Sequence, residues 1–264
     1  MRVFLLALLI SSVAVADQIP AARASEILRQ ALDAYDAAVE SAQRDPAGAA
    51  EHYQSAARGF EALREGGVQN PWLEYDLGNT YFRMGKLGNA IAAYRRAERL
   101  APREPRILAN LEYARRRVEP PLAQDQSSGV LRRLLFWHFG TSQTERFWTC
   151  AIAGVAGWSL LLIALRRPGA PIRVAATAGI LVSLACGASV FLQIQDQAAQ
   201  PHAVIVSGLA TLRNGRGEGY EAVLKEPLGA GVELRILQTR GDWSEVRIPG
   251  GTTGWLPSAA IELV

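Results

Sequence analysis

The stretch that decides the fold is Asn70-Pro71-Trp72-Leu73-Glu74-Tyr75-Asp76-Leu77-Gly78-Asn79-Thr80-Tyr81-Phe82-Arg83-Met84-Gly85-Lys86, continued by Leu87 to Pro105. It reads as helix, turn, helix. Asn70 suits an N-cap, and Pro71 at the first helical position gives up only an N–H that has no intrahelical partner. Leu77, Tyr81 and Met84 fall on one helical face. Gly85 is placed to take a positive φ where the first helix ends. A second helix starts at Leu87, and Gly78 and Ala90 are small where two antiparallel helices must approach closely. Pro102 closes the unit. Pro105 follows Pro71 by about 34 residues, and Leu111 follows Leu77 at the same interval, so another first helix begins at Pro105. No matching second helix follows, which makes Ile107 to Val118 the expected end cap.

Leu77-Gly78 with Tyr81, then Ala90 with Tyr94 and Ala97, then Pro102, resemble the tetratricopeptide (TPR) repeat. Glu74 departs from that pattern, which usually has Trp there. An ordinary helical hairpin is the alternative. Upstream, Ala24 to Arg64 is rich in helix-favouring Ala, Glu, Gln and Arg. Ile27, Leu28, Leu32 and Tyr35 share a face, Asp45-Pro46 breaks the run, and Ala49, Tyr53, Ala56 and Phe60 resemble the second half of a degenerate repeat ended by Gly66-Gly67. The expected TPR-like, all-α domain spans residues 24–118. It holds about two repeats plus a cap, fewer than the three usually needed for independent stability, so it is expected to lean on a partner or on the membrane.

Hydrophobic residues make up 49% of the 264-residue chain, but they are bunched, which points to membrane segments. The net charge of +3 is spread out, with no basic, aromatic-interleaved stripe of the kind nucleic acid requires. Arg2, an apolar run from Val3 to Ile10 and Ala14-Val15-Ala16 read as a secretory signal peptide over residues 1–16, cleaved after Ala16. An uncleaved anchor is the alternative. Residues 119–146 form a linker that is Pro-, Gln- and Ser-rich from Glu119 to Gly129. Val130 to Phe139 within it suits an interfacial amphipathic helix or, equally, a buried helix of the repeat domain. Phe147 to Leu165 and Val174 to Ile194 carry no charged residue, and each is long enough to span a bilayer. Trp148 stands where an aromatic belt is expected. The loop between them holds Arg166, Arg167 and Arg173 and no acid, so the positive-inside rule places it in the cytoplasm and both flanking domains outside. Arg132, Arg133 and Arg146 oppose that assignment. Gly154, Gly157, Gly179 and Gly187 let the spans, residues 147–165 and 174–194, pack as a hairpin. Cys150 and Cys186 lie in the apolar runs and read as inert packing residues rather than a disulfide or a metal pair.

From Ala203 short alternating segments and glycine turns take over. Ala203 to Val206, Ala210 to Arg213, Val232 to Leu237 and Gly241 to Ile248 are strand-like. The Leu212-Arg213-Asn214-Gly215-Arg216-Gly217 turn, Gly241-Asp242-Trp243 and Gly254-Trp255-Leu256-Pro257 resemble a bacterial SH3-like (SH3b) domain over residues 203–264. Arg216 stands where that family usually has Pro. The resemblance implies a small all-β barrel with a peptide groove, and Tyr220, Trp243 and Trp255 are its candidates. The alternative is that both tryptophans fill the core.

No chemistry-bearing constellation stands out. His52, His138 and His202 lie in separate segments, and no nucleophile–base pair, Walker loop or dinucleotide fingerprint occurs. Asn214 to Gly219 is glycine-rich but leads into a strand, unlike a phosphate cradle. The expectation is a non-enzymatic protein without cofactor or metal.

The order of signal peptide, short repeats, paired spans and SH3-like end resembles the BatE-type proteins of aerotolerance (Bat) operons, with most of the likeness in Tyr75 to Asn79 and Leu108 to Leu111. That resemblance implies a bacterial inner-membrane adaptor with periplasmic domains, beside von Willebrand-type membrane proteins and, indirectly, a MoxR-type ATPase. A cell-wall sensor or anchor binding peptidoglycan peptides is the other class. The TPR likeness implies that first helices line a concave groove. Trp72, Tyr75, Asn79, Phe82 and Arg83 would then line it, with Arg106, Asn110, Tyr113 and Arg117 on it or beside it. Asn79 and Asn110 would hold a peptide backbone, with the arginines on an acidic group. Alternatively both asparagines only stabilise neighbouring turns.

Overall fold

The computed structural model describes residues 19–119, 137, 140–167 and 169–264. The expected signal peptide and most of the stretch between residues 119 and 140 lie outside the described residues. The described part divides into two compact units, one ending at Gln69 and one starting at Asn70.

The first unit is a helix pair, α1 (Ala21–Ser41) and α2 (Pro46–Glu65). Asp45 caps α2 by accepting from the Gly48 N–H at 3.0 Å, with Pro46 at the first position. The helices close on a seam of small residues. A Cβ on Gly59 would sit 2.7 Å from the Ala31 Cβ. Ala31 and Ala38 are buried, and Tyr35 meets Tyr53 edge-on at 5.8 Å. This corrects one face of the sequence reading. Leu28 and Leu32 are exposed, because the close contact runs along the alanines rather than the leucines.

The second unit begins with α3 (Pro71–Arg83), α4 (Leu87–Leu100) and α5 (Pro105–Arg115). Asn70 accepts from the Trp72 N–H at 2.8 Å, Gly85 takes φ 74°, and Glu104 caps α5. A Cβ on Gly78 would strike the Tyr94 ring at 2.5 Å, so only glycine admits this α3–α4 approach. Leu77, Ile91, Tyr94, Ile107 and Leu111 are buried between the helices.

Two long apolar helices follow, α6 (Gln143–Arg166) and α7 (Ala170–Ala199). Each is long and apolar enough to cross a membrane. Ser142 and Glu145 form a reciprocal capping box at the start of α6. Gly157 and Gly179 bring the backbones together, since a Cβ on Gly179 would lie 3.1 Å from the Gly157 Cα. Phe147, Trp148, Ile152, Leu162, Leu184 and Phe191 point outward and are exposed. Helix α6 starts before the charge-free run, so Arg146 belongs to it. It is buried between the helices, donating to Ser189 Oγ at 2.9 Å and to Gln193 Oε1. The two cysteines are free thiols.

The chain ends in an antiparallel sheet of five strands in the order β6-β5-β4-β1-β7, beside a two-stranded ribbon, β2 with β3. The strands are β1 (His202–Ile205), β2 (Leu209–Ala210), β3 (Leu228–Gly229), β4 (Glu233–Arg240), β5 (Trp243–Arg247), β6 (Thr253–Pro257) and β7 (Ile261–Leu263). Ile205, Leu212, Leu228, Val246 and Leu256 form its core. Helix α4 lies against β1 and β7. A Cβ on Gly88 would sit 2.2 Å from the Ile205 carbonyl oxygen, and one on Gly231 would meet Ile91, Val118 and Leu87. The support expected from a partner or the membrane comes, for α3 to α5, from the chain's own sheet.

Candidate docking faces

The nine residues expected on the α3/α5 face divide into a centre and two ends. At the centre, Asn110 Nδ2 donates to Asn79 Oδ1 at 2.8 Å and to the Tyr75 hydroxyl at 3.1 Å. Tyr94 on α4 donates its hydroxyl to the same Asn79 oxygen at 2.8 Å. The oxygen of Asn79 is therefore doubly used. Among the described residues, the Asn79 amide N–H groups and the Asn110 oxygen have no partner. At one end, Trp72 meets Tyr75 edge-on at 5.8 Å, and the Arg106 guanidinium stands 5.8 Å from the Trp72 ring centre. At the other, Phe82 and Tyr113 lie 5.6 Å apart, with the Arg117 guanidinium 5.0 Å from one and 4.6 Å from the other. Arg83 is exposed beside them. Trp72 and Tyr113 remain more than 40% exposed. Cation–π contacts hold Arg106 and Arg117 in place, Arg117 also donates to the Tyr113 hydroxyl, and both guanidinium-bearing residues remain exposed.

The second face is on the sheet. Trp243 pairs in register with Pro257, and Trp255 with Glu245. Their neighbours Ser244, Val246, Gly254 and Leu256 are buried on the other face. Strand alternation thus turns both tryptophans away from the core, and the core-filling alternative fails. Trp243 lines a cleft of about 390 Å³ together with Leu209, Arg213, Glu218 and Pro257. Trp255 and Tyr220 are not part of it. The Arg216 guanidinium stands 5.6 Å from the Trp255 ring centre, and Tyr220 packs where a Cβ on Gly215 would be. The three aromatic candidates do not form one groove.

Sequence reasoning missed a third set of residues, on the opposite side of the helical hairpin. There Arg95, Arg96 and Arg115 meet Glu233 and Glu262 of the sheet, and Arg96 also lies 3.7 Å from Glu74. The signal was Glu74, an acid where the repeat pattern carries an aromatic. Burial works against the Glu233 carboxylate, but Arg115 and Arg95 override it and hold its pKa below the ordinary 4.5. His202 next to it is held below its ordinary 6.5 by burial and by Arg235 and Arg95. Among the described residues no cluster of His, Cys, Asp or Glu is arranged for a metal ion. No protein-family model matches the chain, and no curated protein matches it.

Proposed function

We propose that this protein is a non-enzymatic inner-membrane adaptor whose TPR-like α3/α5 face docks an extended segment of a partner protein. The observation that carries this reading is the unengaged Asn79 N–H group and Asn110 oxygen between two arginine–aromatic clusters. A main chain needs one acceptor and one donor at such a spot, and this pair offers the donor and the acceptor. Arg83, Arg106 and Arg117 add charge for an acidic side chain or a terminal carboxylate. With the likeness to BatE-type proteins, the partner class is a von Willebrand-type membrane protein, with a MoxR-type ATPase acting indirectly.

The α6–α7 hairpin is read as two spans, with residues 17–146 and 195–264 in the periplasm and Arg166, Arg167 and Arg173 at the cytoplasmic side. Contact of α4 with β1 and β7 supports this reading, since it requires both domains on one side of the bilayer. Reporter fusions after Gln126 and after Val264 should both be active only outside the cytoplasm. One silent end removes the two-span topology.

The docking test is Asn79→Ala with Asn110→Ala. Loss of a hydrogen-bond pair weakens binding by about 1–3 kcal/mol, several-fold to a hundred-fold. Partner co-purification should fall by that much while the helices still melt cooperatively. Wild-type affinity in a folded double variant sinks the reading. The SH3-like sheet supports a second reading, a cell-wall peptide sensor, through the Trp243 cleft with Arg213 and Glu218 facing a zwitterionic ligand. Titration with muropeptides should then show saturable binding that Trp243→Ala abolishes.

A further inference from the structure

Two acids of the sheet are set into an arginine cluster of the hairpin. Glu233, at the start of β4, receives Arg115 through two hydrogen bonds of 2.6 and 3.1 Å, and the Arg95 Nε at 2.9 Å. Glu262 in β7 receives Arg96 and, at 3.2 Å, the Asn89 amide. Arg96 also lies 3.7 Å from Glu74, which is only 5% exposed. Arg96 and Arg99 donate to the main-chain oxygens of Leu263 and Val264, at 3.0 and 2.7 Å.

These contacts answer two physical problems at once. Strand β7 is a sheet edge, and an open edge leaves carbonyls unpaired. Arg96 of α4 donates to the Leu263 carbonyl of that strand, and Arg99 to the Val264 oxygen just beyond it. In return, Arg95, Arg96 and Arg99 crowd one helix face and repel each other. Burial and its neighbours Arg96 and Arg95 push the Arg99 pKa down. Glu233 and Glu262 relieve that crowding in a partly desolvated site, where the loss of one partner leaves the rest uncompensated. The seam beneath is close-packed: Gly88 admits the Ile205 carbonyl, and Ile91, Leu87 and Val118 lie against Gly231. The ion pairs add a charge-dependent, salt-sensitive component to that apolar contact.

We infer that an ionic latch, made by Glu233 and Glu262 on the α4/α5 arginines and set by Glu74, holds the sheet on the hairpin, and that removing its carboxylates releases the folded sheet as a unit. The latch makes the sheet a movable cap on the helices, and it stands whether or not the α3/α5 face takes a partner. Position 74 acquires a reason for its acid: it orients Arg96, the one latch residue that touches Glu74, Glu262 and the β7 backbone together.

The test is a distance measurement on the full chain in nanodiscs. Spin labels go on cysteines at Ala109 and Thr253, both exposed, with Cys150 and Cys186 changed to Ala. The unaltered latch should give one narrow distance. Glu233→Gln with Glu262→Gln should raise the separated population at least tenfold, seen as a broad longer component, while β-sheet circular dichroism is unchanged. Glu74→Gln alone should give a smaller rise. A single narrow distance in the double variant overturns the inference, and so does loss of the sheet signal, because the contact is then part of the fold and not a latch. A salt series on the unaltered latch, from about 0.05 M to about 1 M, reads the same equilibrium without those substitutions. The longer component should grow with salt, and a salt-independent distance counts against the latch.

Discussion

Helix α5 and its continuation place two arginines on opposite sides of one hairpin. Arg115 is gripped by Glu233 of the sheet and partly buried, whereas Arg117 lies against Phe82 and Tyr113 and stays exposed. The same contrast separates α4, whose arginines meet carboxylates and main-chain oxygens of the sheet's end, from the α3/α5 face, where Arg106 and Arg117 rest on aromatic rings. A guanidinium on a carboxylate is neutralised and satisfied. A guanidinium on a ring is oriented but keeps its charge uncompensated. The side chain alone does not tell a neutralised arginine from one that keeps its charge; the acid opposite it does.

The contrast can be broken most sharply at Gly88. Gly88→Val puts atoms into the Ile205 carbonyl and should cost at least about 2–3 kcal/mol of the α4–β1 contact. Thermal melting that separates helical from sheet signals checks this, and an unchanged melt breaks the close approach. Leu256→Ala in the sheet core should cost about 2–5 kcal/mol, while Trp243→Ala on the outer face should cost under about 1 kcal/mol. Reversed magnitudes in denaturant titration would put the tryptophan back in the core. Next comes the arginine pair itself. Arg115→Ala leaves Glu233 with less compensation and should destabilise by about 1–3 kcal/mol, whereas Arg117→Ala should cost below about 1 kcal/mol and act on partner retention instead.

The smallest expected effect is on pH dependence. Glu233 has a lowered pKa in the folded state, so its contribution is complete above about 4.5 and is lost as pH falls through the lower folded value. His202 also has a lowered pKa. The unfolded chain therefore takes its proton first, and stability falls as pH drops below about 6.5. Sheet stability should be level above that pH and decline in two limbs below it. His202→Gln should flatten the upper limb and leave the lower one, and an unchanged upper limb shows that another group sets it.

The helical half was legible because its signals are local. Asn70 and Pro71, Gly85, and the interval from Leu77 to Leu111 are caps, turns and spacing, and each acts within a few residues. The two apolar helices were legible for the same reason. Their true ends were not, since Arg146 reads as a flanking charge until Ser189 and Gln193 are brought to it from the other helix. The seam of α1 was misjudged because larger side chains suggested Leu28 and Leu32, while closeness of approach favoured Ala31 opposite Gly59. Strand β7 and the contact of Glu262 with Arg96 span more than 160 positions of chain and carry no local pattern. Of the candidate residues, Asn79 and Asn110 were read as facing a peptide or neighbouring turns, and neither their bond to each other nor the sharing of one oxygen with Tyr94 was foreseen.

Helix α7 is longer than the hairpin needs. Its 30 residues make roughly 45 Å of helix, against a hydrocarbon core of about 30 Å, and only Gln200 and Pro201 separate it from β1. The surplus is a rigid stalk of nearly three turns. With α7 as the span proposed above, it would set the stand-off height of the sheet above the lipid, and the two-residue joint leaves almost no slack. A tilt or a sideways pull on that helix is therefore delivered to the sheet as torque, and the lever ends where β1 meets α4.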